Sequence, residues 1–137
     1  MSDPKSMSDE RFLAAFLDAS MPPAGSDHLG HLRAAWLLLQ RRPLEAAVID
    51  TCEAIDRLAN RLGVPGKYHR TLSEALVRLM ADGGAGDPAL AWPDFLAANA
   101  GLVDDARGVL ATHYSDEVLN SPAARQGFVP PDRLPLP

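Results

Sequence analysis

Histidine carries most of the chemistry this chain can do, and three of its four histidines fall on the apolar faces of separate predicted helices. His28 borders the stripe Leu29, Leu32, Trp36, Leu39, and His69 heads the stripe Leu72, Leu76, Leu79, Met80. His113 closes the stripe Leu102, Ala106, Val109, Leu110. A buried imidazole is costly unless its nitrogens find partners, so three on one core raise the question of what they share. One answer is a metal centre with His28, His69 and His113 as ligands and an open fourth position, an arrangement that suits zinc or iron. The other is an acid–base pocket in which His28 or His69 moves a proton, Tyr68 is a proton donor and Arg33 orients an anionic substrate.

His31 lies farther round the second helix, toward Ala35 and Leu38, and reads as a flank residue three positions from His28, close enough for both to reach one site, which His31, Arg33 and Tyr68 complete. Lys67, Tyr68 and His69 enter the fourth helix at its N-terminus, where free amides favour anions. Each of these residues also has a plainer role. A lone histidine at the edge of an apolar face is ordinarily satisfied by a backbone carbonyl, and Arg33 and Lys67 are ordinarily solvated charges. Cys52 sits in mid-helix beside Thr51 and Glu53, with no local cation to lower its pKa, and reads as structural. No glycine-rich phosphate loop, nucleophile elbow or paired-cysteine metal motif accompanies the histidines; the run Gly83-Gly84-Ala85-Gly86 lacks both a preceding strand and a following Lys-Ser/Thr.

The elements that must position these residues are helices. Phe12, Leu13, Phe16 and Leu17 recur at helical spacing from Asp9, and Met21-Pro22-Pro23 stops them. Ser26 or Asp27 caps a second helix that runs to about Arg41 with Trp36 as its largest anchor. Pro43 suits the first turn of a third helix, whose face carries Leu44, Val48, Thr51, Ile55, Leu58 and Leu62. Gly63 caps it and Pro65 forbids its continuation. A fourth helix spans about Tyr68 to Asp82, a short one Trp92 to Ala98, and a further one about Leu102 to His113. Ser115 and Ser121 each open a short helical start, and the proline-rich tail ending at Pro137 is laid over the body by Phe128, Val129, Leu134 and Leu136. The expected fold is all-α: a bundle of about four main helices with short additions, residues 1–8 disordered and 9–137 one helical domain.

The totals fit that reading. At 137 residues the chain can bury a core without disulfides or structural zinc. A net charge of −5 with scattered Lys and Arg argues against nucleic acid as a partner. The single cysteine excludes an intramolecular disulfide and fits a reducing compartment. The polar stretch Met1 to Glu10 does not read as a signal peptide, and the longest strongly apolar run, Ala34 to Leu39, is too short to span a bilayer. The expectation is a cytoplasmic protein without a membrane partner.

The ordered string His28-x-x-His31-Leu32-Arg33-x-x-Trp36, Pro43-Leu44-x-x-Ala47, Gly66-Lys67-Tyr68-His69-x-Thr71 continues into Tyr114-Ser115, Ser121-Pro122-x-Ala124-Arg125 and Phe128-Val129-x-Pro131-Asp132. It resembles a family of small bacterial all-helical proteins, over most of the chain from about Phe12 to Leu134. The resemblance brings no activity, cofactor or partner. It implies that the histidine segments and the proline-rich tail belong to one domain. The functional expectation is a small helical enzyme or ligand-binding protein, its histidine-lined pocket taking a small, anionic molecule with Trp36 and Trp92 as walls. The alternative is a non-catalytic interaction module or homo-oligomerising bundle whose histidines are structural.

Overall fold

The computed structural model describes residues 3–137, and among these the regular structure is all helical. Nine helices follow in order: α1 (Asp9–Leu17), α2 (His28–Arg41), α3 (Leu44–Arg61), α4 (Arg70–Asp82), α5 (Trp92–Ala98), α6 (Ala100–Asp104), α7 (Ala106–Ala111), α8 (Asp116–Leu119) and α9 (Pro122–Gln126). Helix α2 is the central element. From Ala34 to Leu39 every side chain is buried, so the helix is apolar all round in its second half and has neighbours on every side. Helices α1, α3, α4 and α6 pack around it, and α3 packs in turn on α4.

Local chemistry sets the boundaries. Ser8 caps α1 by accepting the Arg11 amide, and the Asp27 carboxylate caps α2 by accepting the Gly30 amide at 2.8 Å. A Cβ on Gly30 would run into the Gly25 carbonyl oxygen, so the close approach of the first turn of α2 to the preceding loop requires glycine there. Gly63, at φ +76°, turns the chain out of α3. The α3–α4 interface carries a buried carboxylate, Glu74, which accepts from Arg70 (Nη2, 2.8 Å) and from Arg78 (Nη2, 3.0 Å). Arg78 reaches on to Glu45 at the start of α3 with two further bonds of 2.9 Å.

Three expectations about boundaries differ from the structure. Residues 1 and 2 lie outside the described residues, but the segment expected to be disordered is tied down from Pro4 onward. Pro4 is buried, and the Arg33 guanidinium donates to the carbonyls of Pro4 (3.2 Å) and Met7 (2.9 Å) while stacking over the Phe12 ring. Helix α4 starts at Arg70 because His69 is its cap, so Tyr68 and His69 are extended. The helix expected over 102–113 is broken at Asp105, whose carboxylate turns back to cap α7 through the Gly108 amide.

The C-terminal segment is stitched across α4 and α7. The Thr71 hydroxyl donates to the Gly127 carbonyl (2.8 Å) and accepts the Val129 amide (3.0 Å), and the Tyr114 hydroxyl donates to the Val129 carbonyl (2.7 Å). The Ser115 amide donates to Asp132 at 2.8 Å, and the amides of Arg133 and Leu134 pair with the carbonyls of His113 and Thr112. A second, smaller hydrophobic cluster of Ala75, Leu110, Tyr114 and Leu119 lies beneath this segment. No helix among the described residues is long and apolar enough to cross a membrane.

Candidate functional site

The structure gives each of the three stripe histidines its own carbonyl. His28 is exposed at the start of α2, and its Nε2 is 2.8 Å from the Leu102 carbonyl of α6. His69 is buried; its Nδ1 accepts the Leu72 amide (3.1 Å) and its Nε2–H donates to the Leu119 carbonyl (2.6 Å). Those two bonds together require the neutral tautomer protonated on Nε2. His113 lies beyond the end of α7, half-buried, with Nδ1 2.9 Å from the Leu134 carbonyl of the tail. The three imidazoles fasten α6, α8 and the tail separately. Among the described residues no three His, Cys, Asp or Glu side chains are grouped to hold a metal ion, so His28, His69 and His113 do not fit as a zinc or iron ligand set.

His31 is different. It makes no side-chain hydrogen bond to any described residue, and its ring packs edge-on against Phe16 with centroids 5.8 Å apart. Among the described residues the one unpartnered side-chain polar atom sealed from solvent is Thr51 Oγ1, so the His31 nitrogens are not walled in. They border an open cleft of about 420 Å³. One wall comes from the loop before α2 and its first turn, with Pro23, Ser26, Asp27 and His31. The floor is the C-terminal half of α3, with Ile55, Leu58, Ala59 and Leu62, and the far wall is Val64, Lys67 and Tyr68 of the α3–α4 loop. The size and the apolar floor with a few polar groups at its edge are those of a small-molecule site.

Burial pushes the His31 imidazole down to about 4, with like-charge repulsion from His28 adding to the fall and Asp27 opposing it. The ring is therefore neutral near pH 7. Burial also raises Tyr68 to about 12 and Cys52 to about 11. The Tyr68 hydroxyl lies beside the Cys52 thiol and the Arg70 guanidinium, and Tyr68 lines the cleft. Cys52 is fully buried and stays a thiol, which suits a structural role.

Of the residues expected in a site, Tyr68 lines this cleft and Arg33 does not. Arg33 is spent on Pro4, Met7, Asp9 and the Phe12 ring, beside a second opening of about 350 Å³ that Trp92 also borders. An exposed anion-binding role for Arg33 is replaced by a structural one, because the N-terminal segment supplies the acceptors first. Trp36 packs against both Trp92 and Phe95, which stack on each other, and walls neither opening. His31, which the sequence places on the flank as a residue completing the site, is the histidine that lines the cleft. In the structure Ala35 and Leu38, on its side of α2, are both fully buried, whereas Leu29 of the favoured stripe is 39% exposed.

The depressed His31 pKa has a direct consequence for stability. In the unfolded chain the ring titrates near 6.5 and in the folded protein near 4. Between those values the unfolded state binds more protons, so stability is full above about pH 6.5 and is lost as the pH falls toward 4. At 1.36 kcal/mol per unit the loss is about 3 kcal/mol. Urea titrations at pH 7 and pH 4.5 are expected to show a steeper decline for the wild type than for His31→Gln. Equal declines would contradict the placement of the ring.

Comparison with protein-family models, with curated proteins and with solved structures gives no match to this chain. Its function is argued from the cleft alone.

Proposed function

We propose that this is a small helical binding protein whose cleft, between the start of α2, the end of α3 and the α3–α4 loop, takes a small molecule. The observation that carries the reading is His31. Three of the four histidines are satisfied by backbone carbonyls, and the fourth keeps its hydrogen-bonding capacity for the edge of an apolar cleft. A ligand group at that edge would use the hydrogen-bonding capacity that no protein group takes up. Binding suits the site better than proton transfer does. A general base works best with a pKa near the operating pH, and His31 titrates well below it.

The test is a nuclear magnetic resonance titration of labelled protein with fragment-sized apolar molecules. The His31 ring signals and the methyl signals of Leu58 and Leu62 are expected to move together and saturate together. If those signals stay fixed across the fragment set, the cleft is not a binding site.

A further inference from the structure

The chemistry around His31 also selects among ligands, an inference that rests on the binding role of the cleft. A neutral imidazole that lacks a partner can accept one hydrogen bond at its bare nitrogen and donate one from its N–H. The neighbouring Asp27 carboxylate uses Oδ1 to cap α2 and has Oδ2 left over. The nearby Ser26 hydroxyl is already turned to the Pro23 carbonyl at 3.0 Å. The cleft end formed by these groups is therefore rich in acceptors and carries a negative charge. The cation once expected to draw an anion, Arg33, is engaged elsewhere, and Lys67 stands exposed on the opposite wall, in the α3–α4 loop. The α2 N-terminus, the other local attraction for an anion, is already closed by Asp27. Below the polar end the floor is aliphatic, with Leu58 and Ala59 buried.

We propose that the cleft takes a compact apolar molecule with a hydrogen-bond-donating head, a hydroxyl or a primary amine, seated with the head between His31 and Asp27 and the body on Leu58 and Leu62. A carboxylate head could accept only from the His31 N–H, would meet the Asp27 charge and would bring no donor to the remaining acceptors, which disfavours it. An ammonium head gains from the Asp27 charge, and an alcohol gains from His31 alone.

The experiment compares three probes that share one body, 2-phenylethanol, 2-phenylethylamine and phenylacetate, by the same titration at pH 7.5. The alcohol and the amine are expected to bind about tenfold more tightly than phenylacetate, the size of one good hydrogen bond. Two variants then assign the selection. His31→Phe keeps an aromatic ring against Phe16, and is expected to lose the alcohol about tenfold while still binding ethylbenzene as the wild type does. Asp27→Ser keeps a capping oxygen for α2 and is expected to weaken the amine more than the alcohol. If phenylacetate binds as tightly as the other two, the selection for a donor head is wrong although the cleft still binds. If His31→Phe holds the alcohol as the wild type does, the head is not at His31. If neither the probes nor ethylbenzene bind, the binding role itself falls.

Discussion

Replacing Trp36 by Ala is expected to cost about 3–5 kcal/mol of stability, the range for truncating a buried large aromatic. The indole is 7% exposed in the middle of α2 and lies 5.5 Å from the Trp92 ring and 5.1 Å from the Phe95 ring, centroid to centroid. Both partners belong to α5, so the aromatic group is what seats that short helix on the central one. Seven residues are too few to hold a helix without tertiary packing. The variant should therefore lose the docking of α5 along with the cavity volume, and near-ultraviolet circular dichroism should lose the signal of the coupled rings. Trp92→Ala, at a half-buried position, should cost less. A loss below about 1 kcal/mol for Trp36→Ala in urea titration would mean that α5 is not seated on α2 in this way.

Glu74→Ala is expected to cost about 3 kcal/mol, for a different reason. Its side chain is 6% exposed, and two guanidiniums, Arg70 and Arg78, close on its two oxygens. Removing the carboxylate leaves two partly buried cations facing one another across the vacated space, and such a broken pair costs far more than an exposed one. Arg78 keeps Glu45, but that carboxylate is 71% exposed and screened by water. Glu74→Gln keeps one acceptor oxygen and the volume, and should cost less than Glu74→Ala. Chemical denaturation of the two variants at pH 7 checks the order; equal losses would show that the charge alone, and not the volume or the remaining acceptor, holds the α3–α4 interface here.

The helices were legible in the sequence because their periods and stop signals were local. Asp27, Gly63, Ser115 and Ser121 act at the termini where their chemistry places them. The break at Asp105 was less visible, since an aspartate within an apolar period reads equally as a solvated face and as a cap. The site was half legible. The short α2–α3 and α3–α4 connections bring the starts of α2 and α4 to one end of the bundle, and the cleft does lie there, between Asp27–His31 and Lys67–Tyr68. Which histidine reaches it depended on the rotation of α2 about its axis. Gly30 against Gly25 and the all-round burial of Ala34 to Leu39 set that rotation, and both are contacts between distant segments. His28 was favoured because Leu29 counts as apolar in a helical period and yet borders the surface, although Leu32, Trp36 and Leu39 of the same stripe are buried.

The residues of the ordered string that spans the chain find physical roles in fastening. His69, Thr71, Tyr114, Ser115, Arg125 and Asp132 all bond across the seam between the C-terminal segment and the body. One consequence concerns the order in which the protein opens. The seam joins Thr71 to positions 56 and 58 residues away and Tyr114 and Ser115 to positions 15 and 17 residues away, and it covers only the smaller hydrophobic cluster, while the core around α2 closes without it. The last eleven residues should therefore detach as a unit of their own, at lower free energy than global unfolding. Hydrogen exchange would register this as a common, fast rate for the amides of Val129, Arg133 and Leu134 against slow exchange in α2, and exchange of all of them at the global rate would show instead that the strap and the bundle are one cooperative body.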